Sequence, residues 1–195
     1  MKATNTLPEG YCEYYSVDLQ KDKKTALFVN LLALVIALIM VFAMSFHISF
    51  FTLFDMQNGL GNYVIRFLSL IVFMASYIIL HEAVHGVAMK ICGTKKVKFG
   101  FTGIYAFAGS DDYYGKGAYI FIALAPVVLF GVLLAAVNVF VPDDWFWVIY
   151  SIQIINISGA AGDIFVTVKF SRFPKDILVK DHGVGMKVYS KEKGQ

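Results

Sequence analysis

The sequence predicts an all-α membrane protein with four transmembrane helices, organised as one integral membrane domain over residues 1–195. Hydrophobic residues make up 58% of the 195 residues and charged residues only 16%, whereas an ordinary soluble domain carries roughly 25% charged residues. Such a chain has too little polar surface to cover a water-soluble globule. The apolar content also excludes disorder, and two cysteines are too few for a disulfide-stapled secreted fold.

Four stretches are long and apolar enough to cross the hydrocarbon layer, which takes about 20 residues in a helix. They lie at about 25–51, 67–89, 117–141 and 145–170, and residues 171–195 are expected to form a partly ordered cytosolic tail. No cleavable signal peptide is expected, because the first 24 residues are polar and contain no apolar core.

The distribution of basic residues predicts the orientation of these helices. Sixteen of the 17 Lys and Arg residues lie before the first stretch, between the second and third, or after the fourth, counting the edges; only Arg66 lies elsewhere. Because basic residues are retained on the cytoplasmic side, both termini and the 93–116 loop are expected to be cytoplasmic. The lipid bilayer is an expected partner, nucleic acid is not, and the oligomeric state is left open.

The loop between the second and third stretches has two interpretations. Val97, Phe99 and Phe101 alternate with polar or small residues, and residues 104–108 continue in types that suit an extended chain. This pattern favours a short cytoplasmic-side β-hairpin over about 96–108. An irregular loop with an aromatic collar is the alternative.

An H-E-x-x-H pattern stands near the cytoplasmic end of the second stretch, with His81, Glu82 and His85 as its defining residues. Residues four apart lie on one helix face, so both histidines can bind one Zn²⁺ while Glu82 acts as general base on the attacking water. An ionisable residue inside a span costs about 2.5–3.5 kcal/mol, so its presence is itself a functional indication. The alternative is a buried polar network that holds helices together.

Asp163 is the expected third ligand, because catalytic zinc usually has three protein ligands and a water. It is the only charged residue in the fourth stretch before Lys169, and small residues just before it permit close helix approach. By helical rise, His81 and His85 lie about 13 and 7 Å from the level of Lys90, and Asp163 about 9 Å from that of Lys169. These depths agree; helix packing or a counter-ion role is the alternative.

Other polar residues are weaker candidate ligands: His47, Cys92, Asp111, Asp112 and His182. His47 lies at the outer end of the first stretch, across the membrane from the H-E-x-x-H motif. Cys92 is about 10 Å along the helix axis from His85. The remaining three are expected to be solvated unless a loop folds back. Asn156, two turns before Asp163, is a candidate hydrogen-bond donor to substrate or an oxyanion. A buried interhelical hydrogen bond is its alternative.

Taken together, these motifs resemble a known family. The features are the H-E-x-x-H-G pattern, the Gly93–Phe99 run after it, an aromatic segment, a proline-bearing stretch and Gly162-Asp163. Together they make the chain similar to the zincin peptidases of bacterial membranes. That group is in turn similar to site-2 protease-type intramembrane zinc metalloproteases. The resemblance covers about 63–170, although the Asn-Pro and Asp-Gly signature of typical site-2 proteases is absent.

The resemblance implies a zinc metalloendopeptidase of the bacterial plasma membrane that hydrolyses peptide bonds of membrane-protein or membrane-peptide substrates. It assigns His81, His85 and Asp163 as Zn²⁺ ligands and Glu82 as the catalytic base. A non-catalytic metal-binding membrane scaffold or regulatory protein is the alternative, and it would need the ligands but not Glu82. A haem cytochrome is disfavoured, because two histidines on one helix face cannot bind opposite sides of a haem.

The orientation can be tested with cysteines introduced at Lys96 and Asn58 after Cys12 and Cys92 have been replaced by serine. In intact cells, a membrane-impermeant thiol reagent is expected to label position 58 and not position 96, because the basic 93–116 loop is retained in the cytoplasm. Both positions should react after permeabilisation. Labelling at 96 but not at 58 in intact cells would contradict the predicted topology.

Overall fold

The computed structural model describes residues 3–18, 20–103, 106–183 and 185–191. In chain order the described elements are β1 (Cys12–Asp18), α1 (Lys23–Ser45), a 3₁₀ helix (Phe50–Phe54), α2 (Leu60–Ile91), β2 (Lys98–Phe101), β3 (Ala106–Gly109), β4 (Tyr113–Gly115), α3 (Lys116–Phe140), α4 (Asp143–Gly159), α5 (Ala161–Ser171), β5 (Leu178–Asp181) and β6 (Gly185–Ser190).

Four helical segments are long and apolar enough to cross a membrane, namely α1, α2, α3 and the consecutive α4 and α5. Their number and order agree with the sequence prediction, but two boundaries differ. Helix α1 ends at Ser45, before the predicted boundary at 51, and α2 begins at Leu60, before the predicted boundary at 67. Apolarity indicates which residues suit hydrocarbon, whereas a helix ends where its backbone hydrogen bonds end, so the two boundaries need not coincide.

The fourth apolar segment is two helices rather than one. Helix α4 ends at Gly159 and α5 begins at Ala161, while Ala160 between them has φ −82° and ψ 13°. The bridge region of φ/ψ space, in which Ala160 lies, interrupts the regular helix. The interruption places Asp163 in the first turn of α5.

The four helical segments are present as predicted, but the fold is not all-α. A four-stranded antiparallel sheet is also present. Its strand order is β1-β6-β5-β4, with Asp18 paired to Gly185 at one end of β1 and Cys12 to Ser190 at the other. The segment after residue 170, expected to be a partly ordered tail, supplies two of these strands. Pairing between the two ends of a chain is set by tertiary contacts, which local sequence patterns do not reveal.

The segment at 96–108 contains the strands β2 and β3, which form an antiparallel pair with Phe99 opposite Ala108 and Phe101 opposite Ala106. The hairpin interpretation is therefore the better of the two for the described residues. Ile104 and Tyr105, part of the predicted extended run, lie outside the described residues. The side of the membrane on which the hairpin lies stays a prediction.

The segments of the chain that lie close together in space form two compact units. The first contains Met1–Val29, His81–Ala125 and Gly162–Gln195, and the second contains Asn30–Leu80 and Pro126–Ala161. The core of the first unit joins α2, α3 and α5 to the sheet, and its largest members include Met89, Tyr114, Tyr119, Phe170, Ile177, Val179 and Val188.

In the second unit, Arg66 is buried and bonds to backbone carbonyls. One guanidinium nitrogen donates to Thr52 O at 3.2 Å and to Asp144 O at 2.7 Å, and the other donates to Asp55 O. The planar guanidinium can donate hydrogen bonds to several acceptors at once. A lysine ammonium could not reproduce this arrangement of donors. Arg66 thereby joins α2 to the 3₁₀ helix and to the start of α4.

Replacing Arg66 with Met should destabilise the protein, because three carbonyl groups lose the guanidinium as a donor. Thr52 O keeps the Asp55 amide as a donor, so the cost falls mainly on the other carbonyls, and a buried acceptor left unsatisfied costs roughly 1–3 kcal/mol. We expect a lower melting temperature in detergent, measured by circular dichroism. Arg172→Met is the matched control, since Arg172 is exposed. Equal melting temperatures for the two variants would contradict this role of Arg66.

Candidate metal centre

The predicted ligands come together in the first unit. His81, Glu82 and His85 lie in the C-terminal part of α2, and Asp163 lies in the first turn of α5. One ligand atom from each of His81, His85 and Asp163 falls within 4.8 Å of the others. The side chains of the two histidines are only 12% and 11% exposed, so the cluster is largely removed from solvent.

The separations within this cluster fit one zinc ion. His81 Nε2 and His85 Nε2 are 3.2 Å apart, and Asp163 Oδ2 is 3.8 Å from each of them. A point equidistant from three atoms so placed lies about 2.1 Å from each, which is the usual Zn–N and Zn–O bond length. Two imidazoles and a carboxylate are also a donor set of catalytic zinc sites, so the residues fit the ion by chemistry as well as by distance.

The His85 ring is oriented by a hydrogen bond on its other nitrogen. His85 Nδ1 lies 2.9 Å from the backbone carbonyl oxygen of Ile122 in α3. Because a carbonyl can only accept, Nδ1 carries the hydrogen, and in the neutral imidazole Nε2 then has the lone pair that faces Asp163 and His81. Such bonds fix the tautomer and orientation of histidines that bind metals.

The first turn of α5 is a favourable place for the Asp163 carboxylate. Backbone N–H groups at a helix N-terminus lack intrahelical partners and carry partial positive charge, which stabilises a nearby anion. The break at Ala160 creates this N-terminus inside the apolar segment. A continuous helix would have placed Asp163 in its interior, without that stabilisation.

Glu82 is adjacent to the ligand cluster but is not one of its members. The backbone amide of Ala108 in β3 and the charges of His81, His85 and Asp163 all act on its carboxylate. Glu82 therefore lies between the ligands and the β2–β3 hairpin. That position suits a group that exchanges a proton with a water or a peptide beside the metal.

Gly86, directly after the second histidine, allows β2 to approach α2. A Cβ atom at Gly86 would lie 2.5 Å from Cζ of the Phe99 ring, a distance at which the side chain would have to move. The glycine of the H-E-x-x-H-G pattern thus makes room for the hairpin beside α2.

The other candidate ligands do not join this cluster within the part of the chain that the structure describes. Cys92 is buried in the hydrophobic core of the first unit, and Asp111 pairs with Lys98 at 2.6 Å. His47 belongs to the second unit and packs against the Phe146 ring. Neither Asp112 nor His182 belongs to the described metal-binding group.

Asn156 uses its side chain in bonds between helices of the second unit. Its Oδ1 accepts from the Tyr77 hydroxyl at 2.9 Å, and its Nδ2 donates to Val127 O at 3.2 Å. The residue is fully buried. These contacts favour the interhelical hydrogen bond over substrate binding, which no observation here supports.

Sequence reasoning missed Asp181 and Tyr119. The Tyr119 hydroxyl donates to Asp181 Oδ2 at 2.8 Å. Burial raises the pKa of the Asp181 carboxyl to about 6, and the negative charge of Asp163 also raises this pKa. The available signal was the Asp181-His182-Gly183 run between two strand-like stretches, a composition typical of a turn.

Comparison with known proteins places this geometry in a family. A family model described as "Putative zincin peptidase" matches residues 74–178, just over half of the chain. The chain belongs to this zincin peptidase family. The matched range contains His81, Glu82, His85 and Asp163, and membership implies zinc as the metal and a metallopeptidase as the type of protein.

The chain is also similar to a curated protein of Pyrococcus woesei, an uncharacterized 24.7 kDa protein in the gap 5' region. The two are 29% identical over 115 residues, which cover 56% of this chain and 50% of the relative. The match thus spans about half the length of that relative. No solved structure matches this chain.

Loss of the Asp163 carboxylate should lower zinc occupancy about as much as loss of either histidine, because each replacement removes one of three protein ligands. We expect Asp163→Ala, His81→Ala and His85→Ala, purified without chelator, to contain far less zinc than the parent by elemental analysis. His182→Ala is the control and should keep its zinc. Full occupancy in Asp163→Ala would redirect the search to Asp111, Asp112 and His182.

Proposed function

We propose that the protein is an intramembrane zinc metallopeptidase that hydrolyses peptide bonds of membrane-protein or membrane-peptide substrates. The observation that carries the proposal is the placement of Glu82 beside three ligand atoms whose separations fit zinc. A scaffold that only held a metal would not need a carboxylate in this position.

The reaction divides between the metal and Glu82. A zinc ion held by His81, His85 and Asp163 would supply Lewis acidity, which lowers the pKa of water and polarises a peptide carbonyl. The Glu82 carboxylate takes a proton from the attacking water and then passes it to the amine that leaves. The Ala108 amide acts on this carboxylate from the hairpin, where the peptide is expected to lie.

An extended substrate can bind along the edge of β3. The Ala108 amide acts on the Glu82 carboxylate, so β3 lies close to the proposed catalytic base. A peptide strand added there by β-augmentation would present its backbone carbonyls to the metal centre. A helical substrate must first unwind, because its carbonyls are occupied by intrahelical hydrogen bonds.

The membrane setting is supported by the exposed faces of the helices. Large apolar side chains are exposed along α1, α2 and α3, among them Leu38, Phe42, Ile79, Val132 and Phe140. In a lipid bilayer these side chains would contact hydrocarbon, whereas in water they would form large exposed apolar surfaces. With the basic loop and both termini in the cytoplasm, as proposed from the charge distribution, the cytosol would supply water to the site.

Replacing Glu82 with Gln separates a peptidase from a metal-binding scaffold. Gln has nearly the same size and still forms hydrogen bonds, but it cannot accept the proton. We expect Glu82→Gln to fold and keep its zinc while hydrolysis falls by at least about 10²–10⁴-fold, the usual contribution of general acid–base catalysis. The assay is cleavage of a single-span membrane substrate in liposomes, with zinc measured on the same preparation.

Glu13→Gln is the matched control, because Glu13 lies on β1 and pairs with Lys187. This variant should cleave at the parental rate. Undiminished cleavage by Glu82→Gln would exclude Glu82 as the base, and loss of zinc would identify it as a ligand.

A further inference from the structure

Asp181, at the end of β5, accepts hydrogen bonds with both carboxylate oxygens and with its backbone carbonyl. Oδ2 accepts from the Tyr119 hydroxyl at 2.8 Å, and Oδ1 accepts from the Gly183 amide at 2.7 Å. The carbonyl oxygen accepts from the Ser110 amide at 3.1 Å. One residue of the β5–β6 hairpin is thereby bonded to α3 and to the residue that follows β3.

The bond to α3 leads to a proposed zinc ligand. Tyr119 is buried and lies three residues, close to one helical turn, before Ile122. The Ile122 carbonyl is the acceptor that orients His85. A shift of this turn of α3 would move that acceptor and the ring that depends on it.

The bond to Ser110 leads to the proposed general base. Ser110 directly follows β3, and the Ala108 amide within β3 acts on the Glu82 carboxylate. Anchoring Ser110 on Asp181 therefore limits movement of the strand that contacts Glu82. The same strand edge is the one proposed to receive substrate.

Glycine contacts between β3 and the turn after Asp181 leave no space for side chains. A Cβ atom at Gly109 would lie 3.0 Å from the Gly183 nitrogen, and a Cβ atom at Gly183 would lie 2.2 Å from the Phe107 ring. Gly183 also has φ +97°, a conformation that other residues rarely adopt. The turn and the strand are thus in direct backbone contact.

We propose that Asp181 is a positioning residue for the metal centre. Its Oδ2 holds, through Tyr119, the turn of α3 that carries the Ile122 carbonyl, and its Oδ1 holds, through Gly183, the turn that contacts β3. The backbone bond to Ser110 adds to this anchoring and is kept in every variant at position 181. The inference rests on the proposed peptidase function, and it assigns to the C-terminal hairpin a part in catalysis that neither the H-E-x-x-H motif nor family membership indicates.

The test uses the full-length, zinc-loaded protein and the variants Asp181→Ala, Asp181→Asn and Tyr119→Phe. Asp181→Ala should lower kcat/KM at least about tenfold with zinc content unchanged, and hydrogen exchange of the β3 amides should accelerate by a similar factor. Asparagine can accept from Gly183 and donate to the tyrosine oxygen. Asp181→Asn should therefore stay within about threefold of the parent in both measurements.

Coupling between the two side chains gives a second criterion. If Asp181 acts on α3 through Tyr119, the effects of substituting these two contacting residues should not be additive. Tyr119→Phe should then lower kcat/KM much less in the Asp181→Ala background than in the parent. Full additivity of the two losses would contradict the shared route.

Ser190→Ala is the matched control, since the Ser190 hydroxyl donates to Asp176 at 3.1 Å at the other end of the same hairpin. It should change neither cleavage nor exchange of the β3 amides. The proposal is overturned by equal losses in Ser190→Ala, or by parental cleavage in Asp181→Ala.

Failure of the peptidase function itself would look different. The parent would then show no cleavage that depends on Glu82, whatever residue stands at 181. Exchange of the β3 amides would still report on positioning, and parental exchange in Asp181→Ala would then refute the role of Asp181 by itself.

Discussion

The mutual placement of three potential ligand atoms is the constraint on which the rest of the site depends. Because His85 Nδ1 bonds to the Ile122 carbonyl, Nε2 of the neutral imidazole has its lone pair directed at the cluster. A nitrogen lone pair 3.8 Å from a carboxylate oxygen favours a proton or a metal cation between the two atoms. A metal at the common centre satisfies all three ligands at once, whereas a single proton can bond to only one or two of them.

Two features of the backbone follow from this constraint. The interruption at Ala160 ends α4 and begins α5, so that Asp163 lies at a helix N-terminus. Gly86 removes the side chain that would block β2, so that β3 can reach Glu82. The first feature stabilises the carboxylate of the proposed ligand, and the second places a strand beside the proposed base.

The sequence was most informative where the relevant contacts are local or set by hydrophobic thickness. The spacing of His81 and His85 follows from helix geometry alone, and Asp163 could be found because a lone carboxylate in an apolar stretch has few explanations. The alternation around Phe99 likewise indicated the hairpin. The helix break was not foreseen, because Gly and Ala in a run are compatible with both a close-packed helix and an interrupted one.

What the sequence left out depends on contacts between distant parts of the chain. Strand β1 pairs with β6, which lies at the other end of the chain. Asp181 acquires its partners only when β5 is placed next to α3 and β3. A pattern within either segment cannot report on that pairing, since strand preference is largely a preference for particular neighbours. The residues after 170 therefore resembled a solvated tail although they form half of the four-stranded sheet.

Polarity inside an apolar helix is by itself a weak sign of catalysis, as Arg66 and Asn156 show. Arg66 donates to backbone carbonyls, and Asn156 both donates and accepts, so each is satisfied largely by bonds that connect neighbouring segments. The cluster of His81, His85 and Asp163 differs from both, because two imidazole nitrogens and a carboxylate oxygen from separate helices converge within 4.8 Å of one another. A buried polar group whose partners are backbone groups or a complementary side chain stabilises a fold. Convergence of side-chain atoms that can all ligate one metal ion is instead the pattern expected of a metal site, and it distinguishes this cluster as the candidate.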